Sequence, residues 1–158
     1  LTLLLNSKLI KFWLKYQGKM QGNNFQIDKE PLLNIPIVNI SHPEWVKVFE
    51  ILYSYIEYIL GNNEQVLPNL KNDLLIKFIE DLVNAAIYEI YFKSEFAAHG
   101  LSILDELYKL IVSLGKNDLE SVIYNLYKAI NIDYDLIRNM LKLMTIRLES
   151  ILIPIIKE

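Results

Sequence analysis

Apolar residues recur at steps of three and four positions through most of this chain. In one such stretch, Val48, Leu52, Ile56 and Ile59 mark a single side of residues 41–60. A repeat close to 3.6 residues is typical of amphipathic α-helices that bury one face. The expected fold class is therefore mainly α, a helical domain of about six helices. Capping and stop residues divide the pattern into predicted helices at 3–17, 41–60, 72–91, 102–113, 118–129 and 133–152.

The helical pattern stops between residues 19 and 40. Phe25 and Ile27 alternate with Gln26, which indicates a short strand. Pro31 suits the first turn of a brief helical turn, and Pro36 restricts residues 35–40 to an edge strand or an extended course. The sequence therefore predicts a short β or extended strap near residues 25–40. We expect this segment to carry the function of the protein and the helices to support it structurally.

Positive charge is concentrated at the start of the chain. Residues 1–30 carry five lysines against Asp28 and Glu30, a net charge of +3, which leaves −6 for the remainder of a chain whose total is −3. Such an asymmetry favours a polyanionic partner at one end only. Steps of three and four residues would place four lysines in one stripe, either as phosphate contacts or as an ordinary solvated face. The stripe consists of Lys8, Lys11, Lys15 and Lys19.

Amide side chains follow the lysine stripe directly. Gln21, Asn23, Asn24 and Gln26 carry both donors and acceptors, which suits contacts to the grooves or the backbone of DNA. The competing interpretation is turn chemistry, because asparagine and glycine favour turns for backbone reasons. From the residues alone, both interpretations stay open.

The sequence contains no recognisable catalytic motif, and we predict neither a catalytic nor a metal-binding residue. It lacks cysteine, which excludes disulfides and thiolate metal sites. Its two histidines are far apart, and Glu95 with His99 on one helical face is a weak metal signal. Apolar runs fall short of the roughly 20 residues that span a bilayer, and Leu1–Leu5 lacks the flanks of a signal peptide. We expect a cytoplasmic protein without a membrane partner.

The order of several short motifs resembles a known family. LLLNSKLIKFWLKY is followed by GKMQGNNFQIDKEPLLNIPI and by a helix that begins SHPEW. AAIYEIYFKSEFAAHGLSILDEL and NLYKAINIDYDLIRNMLKLMTI come later. Together they resemble the TaqI-like C-terminal specificity domain of type IIG restriction–modification enzymes and adenine-specific DNA methyltransferases. The last motif has Asp133-Tyr134 where that family more often has His-Pro.

This resemblance implies that two parts of the chain have different roles. Residues 1–40 would be the C-terminal part of a target-recognition region, and residues 41–158 a helical C-terminal region, in one compact unit cut from a longer protein. The implied partners are double-stranded DNA and the missing N-terminal methyltransferase domain of the same chain. The parent would be a site-specific adenine DNA methyltransferase.

The resemblance assigns the chemistry to the parent. The parent would use S-adenosylmethionine, with an endonuclease activity and Mg²⁺ as further options. The fragment itself lacks the catalytic motifs and is expected to hold no cofactor. The alternative from another functional class is a helical protein-interaction or dimerisation module, a homodimer for example, with no direct DNA contact.

Overall fold

The computed structural model describes residues 1–17, 19–21, 24–26, 29–115, 118–132 and 136–157. The mainly α fold class is confirmed, because nearly all regular structure in these ranges is helical. The elements are α1 (Thr2–Leu5), α2 (Lys8–Gln17), β1 (Lys19–Gln21), β2 (Asn24–Gln26), α3 (Lys29–Leu33), α4 (Pro43–Gly61), α5 (Asn72–Tyr91), α6 (Lys93–Ala98), α7 (Ile103–Leu114), α8 (Leu119–Asn131), α9 (Leu136–Arg147) and α10 (Glu149–Ile156).

The expected count of about six helices was too low, since ten occur within the described ranges. Two predicted helices are each divided in two. The first divides at Ser7, whose Oγ accepts the Ile10 N–H at 3.3 Å and so begins α2 as a new helix. The last divides at the buried Leu148, between α9 and α10. Periodicity alone cannot detect such breaks, because the apolar repeat continues across them.

The last predicted helix ended at residue 152, but the observed last helix continues past Pro154. Pro154 lies inside α10, which continues to Ile156. The φ angle that proline imposes is a helical one, so the ring removes a backbone donor without forcing an immediate stop.

Helix α5 is the centre of the fold and packs against α2, α4, α6 and α7. Residues 82–89 are all buried, so the second half of this helix is covered on every side. Its apolar residues join those of α4, α7, α8, α9 and α10 in the main core. Helix α2 adds Leu9 to that core, while Ile10, Leu14 and Ile35 form a second, smaller cluster.

The segment between α2 and α4 differs from the expected strap in the number of its strands. It contains an antiparallel hairpin, with Lys19 paired to Gln26 and Gln21 paired to Asn24, whereas a single strand was predicted. The brief helical turn predicted around Pro31 is confirmed as α3, Lys29–Leu33. The extended part covers residues 35–42. Ile35 anchors its start in the second cluster.

No helix in the described ranges is long and apolar enough to cross a membrane.

Candidate nucleic-acid interface

Helix α2 carries most of the lysine stripe, and a side chain from the central helix holds its N-terminus. The first backbone N–H groups of a helix have no partner inside the helix. The Lys8 N–H donates to Asn84 Oδ1 of α5 at 2.8 Å. Asn84 is only 8% exposed, and its Nδ2 donates to the Glu80 carbonyl at 2.8 Å, which fixes the amide orientation. The start of α2 is therefore fastened to the middle of the fold.

Ser7 provides a second cap for the same helix. Its Oγ accepts from Ile10 and donates to the Leu4 carbonyl at 2.7 Å. Ser7 itself is 2% exposed. These bonds join α1 to α2 at a defined corner.

The buried and exposed sides of α2 separate its apolar residues from its lysines. Leu9, Ile10 and Leu14 are buried. Lys11 and Lys15 are exposed. At 100° per residue, positions 8, 11 and 15 fall within about 60° of one another around the axis. The structure thus brings three of the four predicted lysines to one side of α2.

An acidic residue lies beside the first lysine of the stripe. Lys8 Nζ is 4.0 Å from Asp81 Oδ1, and the two side chains are 43% and 53% exposed. A pair of this exposure contributes little to stability. Asp81 also lowers the positive potential at this end of the stripe.

The hairpin begins two residues after the end of α2, and Lys19, the last lysine of the stripe, is its first residue. Partners that face each other across an antiparallel pair share one face, as do alternate residues along a strand. The register therefore puts positions 19, 21, 24 and 26 on one face and positions 20 and 25 on the other. The first set corresponds to Lys19, Gln21, Asn24 and Gln26, four of the predicted contact residues. The fifth hairpin prediction, Asn23, lies outside the described residues.

A second surface feature is an apolar groove with a volume of about 510 Å³. Helices α1, α4 and α5 and the extended segment after α3 form its walls. The Tyr91 hydroxyl donates to the Pro36 carbonyl and holds that segment against α5. Several lining side chains are largely exposed, including Leu1 at 78%, Ile37 at 63% and Val38 at 42%. We refer to this feature as the α1–α4 groove.

Helix α7 is also held by a side chain of α5. Glu89 is 5% exposed, and its Oε2 accepts the Leu104 N–H at 2.8 Å. Burial raises the pKa of this carboxyl to about 7, while hydrogen bonds from Leu104 and Ile103 oppose the rise. Asp105 raises the pKa further, and Lys93 lowers it. Glu89 is thus a structural cap that titrates near neutrality.

Trp45 and Asp105 join the start of α4 to the start of α7. Trp45 Nε1 donates to Asp105 Oδ1 at 2.8 Å, and Ser102 Oγ donates to Asp105 Oδ2 at 2.9 Å. The Trp45 bond is the main reason that the pKa of Asp105 is lowered. Both carboxylate oxygens are engaged by protein donors, which gives Asp105 a structural role.

His99 and Glu95 form no wider cluster of metal ligands. Within the part of the chain that the structure describes, no group of three or more His, Cys, Asp or Glu residues could hold a metal ion. Ser94 Oγ donates to Glu95 Oε2 at 2.7 Å, and the His99 carbonyl accepts from Arg147.

Sequence reasoning missed three side chains of α5 that position neighbouring elements. Asn84 holds α2, Glu89 holds α7, and Tyr91 holds the extended segment after α3. Asn84 and Glu89 stand in the apolar stretch LVNAAIYEI. Polar side chains within a helix that is apolar on all sides must find partners, since leaving them unpaired costs free energy. That rule could have marked both residues as tertiary anchors, although it could not have named their partners.

The chain is similar to two curated proteins, the type II methyltransferases M.HincII and M.HindII, both of Haemophilus influenzae. Each is 32% identical to it over 69 residues, which is 40% of this chain and 13% of the relative. The chain thus matches about an eighth of the length of these relatives. No family model matches the sequence, and no solved structure matches it. These similarities link the chain to the methyltransferases of restriction–modification systems.

Proposed function

We propose that this chain is the DNA target-recognition fragment of a type IIG-like adenine DNA methyltransferase and is not catalytic by itself. The observation that carries the proposal is the arrangement of α2 and the hairpin. A helix without acidic residues presents Lys8, Lys11 and Lys15 on one side and leads directly into the hairpin. The similarity to type II methyltransferases supports the same assignment.

The lysines would set the position of the DNA. Lysine contacts to phosphates release condensed counterions and supply affinity without sequence preference. Anchoring by Asn84 and Ser7 keeps α2 from rotating, so the lysines would meet the backbone in a constant register. Phosphate contacts of this kind orient a protein on the duplex but do not specify bases.

The hairpin would supply the polar contacts. Positions 21, 24 and 26 share its face with position 19, so one surface would combine amides with a lysine. Two-stranded ribbons fit the major groove, where amides can pair with adenine edges. We assign Gln21, Asn23, Asn24 and Gln26 to groove or backbone contacts.

Catalysis would belong to the rest of the longer protein. Methyl transfer by the longer protein would use S-adenosylmethionine. If that protein also cleaves DNA, the cleavage would use Mg²⁺. Residues 41–158 would serve as the helical region that braces the recognition elements. The proposal assigns no residue of these 158 to the cofactor.

Charge reversal tests the phosphate contacts. In the longer methyltransferase, Lys11→Glu combined with Lys15→Glu should weaken DNA binding by on the order of tenfold to a hundredfold at low salt. The slope of log affinity against log salt should fall by about 2, because each lost phosphate contact removes about 0.9. Fluorescence anisotropy with a labelled duplex, measured at several salt concentrations, provides both values.

Lys77→Glu combined with Lys128→Glu makes a matched control, since the net charge changes equally on α5 and α8. This control should leave the salt slope unchanged. Equal losses in the two double variants would show a general charge effect, and no loss in the Lys11/Lys15 variant would remove the phosphate role.

The α1–α4 groove favours a second candidate function, a protein-interaction or dimerisation module without DNA contact. Exposed apolar patches commonly mark binding sites for other proteins. A gel-shift assay and size-exclusion chromatography of the longer protein separate the two functions. Self-association without retardation of any duplex at low salt would support the second function.

A further inference from the structure

We infer that the α1–α4 groove binds an apolar segment that carries a lysine or arginine, and that this segment comes from the remainder of the methyltransferase polypeptide. This inference rests on the proposed function. The groove is already formed, with walls from three helices and the extended segment. Exposed apolar residues concentrate at its rim, where Leu1, Ile37, Val38 and Val46 range from 38% to 78% exposed.

The charge of the groove indicates the chemistry of its occupant. Glu50 is the one charged side chain among the described residues that line it. Tyr53, also in the lining, is hydrogen-bonded to Glu57 on the same helix. An apolar segment with one basic side chain would therefore match both the walls and the acidic edge.

A second copy of this chain fits the groove less well. A two-fold symmetric contact would place one concave surface against another and bring like-charged Glu50 side chains to the same interface. Concave surfaces of this kind leave voids that lose packing contacts. An inserted segment fills the volume instead.

The position of the groove also suits a segment of the same polypeptide. Leu1, Leu3 and Leu4 line it, so residues that precede Leu1 in a longer chain would start from the groove wall. A tethered segment binds at a high effective concentration and needs only modest intrinsic affinity. In the two relatives, the matched part is 13% of the protein, so 87% lies outside it.

The experiment uses the longer natural polypeptide with a protease site placed ahead of Leu1. After cleavage, the two pieces should co-elute on size-exclusion chromatography. Ile37→Asp combined with Val46→Asp should weaken their association at least about tenfold. The control pair, Val112→Asp and Ile146→Asp, alters apolar residues that are 53% and 69% exposed on α7 and α9, and it should leave association unchanged.

A third variant tests the charge match. Glu50→Lys should also weaken association, by an amount that grows as salt is lowered, because it repels a basic side chain of the occupant. Circular dichroism confirms that each variant keeps its helical content.

Four outcomes would overturn the inference. The wild-type pieces could separate after cleavage, or the groove variants could co-elute as well as the wild type does. The natural polypeptide could be confined to these 158 residues, or the 158-residue chain could form a dimer that Ile37→Asp with Val46→Asp dissociates. The Lys11/Lys15 test is read separately by DNA binding. Groove-independent association with a positive DNA result would overturn the inference alone. Groove-dependent association together with unchanged DNA binding by the Lys11/Lys15 variant would overturn the proposed function alone.

Discussion

Helices α2 and α7 are both held at their N-termini by buried side chains of α5, but the two caps differ in chemistry. Asn84 caps α2 with a neutral amide, and Glu89 caps α7 with a carboxyl group. Both acceptors lie 2.8 Å from the backbone nitrogen that they satisfy, and both residues are less than a tenth exposed. The helix with the lysine stripe is therefore held in a pH-independent way, whereas a scaffold helix is not.

The physical difference is the cost of burying charge. An amide keeps the same hydrogen bonds at every physiological pH. A buried carboxylate resists ionisation, which raises its pKa. Stability from a raised carboxyl pKa is fully present below the unfolded value and is lost as pH rises through the folded value. For Glu89, that window runs from about 4.5 to about 7.

The largest expected effect comes from replacing Glu89 by glutamine. At pH 8, Glu89→Gln should raise the free energy of unfolding by up to about 3 kcal/mol, because the amide avoids burying a charge. At pH 4 the gain should vanish. Urea denaturation at both pH values measures the difference. Glu80→Gln, at an exposed residue of the same helix, provides the matched control for the loss of one carboxylate.

Equal destabilisation by Glu89→Gln at both pH values would contradict the proposed difference between the Asn84 and Glu89 caps. That result would mean that the ionised carboxylate contributes a net stabilising bond to α7.

Removing the amide cap should have the next largest effect. Asn84→Leu leaves the Lys8 N–H without its partner and should lower the free energy of unfolding by about 2 kcal/mol at every pH. Hydrogen exchange should accelerate in α2 before it does in α7. Asn84→Asp keeps an acceptor and should retain protection of α2. Uniform acceleration across all helices would show that Asn84 does not act on α2 in particular.

A smaller change in stability is expected from replacing Tyr88, which lies between Asn84 and Glu89 on α5. The Tyr88 hydroxyl is buried and has no hydrogen-bond partner among the described residues. Tyr88→Phe should therefore raise the free energy of unfolding by about 1 kcal/mol, because an unsatisfied group no longer needs to be desolvated. Thermal denaturation measures the change. A loss of stability would indicate that the hydroxyl has a partner.

The smallest expected effect concerns the salt bridge beside the amide cap. Asp81→Asn should change stability by no more than about 0.5 kcal/mol, because Lys8 and Asp81 are both well exposed. Under the proposed function, Asp81→Asn should strengthen DNA binding about twofold at low salt, because it removes a negative charge beside Lys8. Weaker binding would mean that Asp81 positions Lys8 for its contact.

The helices themselves were largely predictable from the sequence. The 3.6-residue repeat located α4, α5, α7 and α8 to within about two residues of their observed ends. The predicted helix over 3–17 was divided, since Ser7 turns the chain by capping a new helix. Only the second strand of the hairpin was predicted. β1 was missed because it has little apolar alternation and depends on its pairing with β2.

The candidate interface was predicted only as a set of residues. Steps of three and four positions placed Lys8, Lys11 and Lys15 on one side of a helix without reference to the fold. The Lys8–Asp81 contact was not predictable, because it joins residues far apart in the chain. The α1–α4 groove depends in the same way on the packing of four separate segments.

The amino-acid sequence by itself determined the helical class, the local charge of α2 and the interruption between residues 19 and 40. These features follow from interactions between near neighbours along the chain. The tertiary structure alone decided that α5 caps both α2 and α7, because Asn84 and Glu89 meet partners 76 and 15 residues away. A side chain's type shows that it needs a partner, but only the packed fold supplies one.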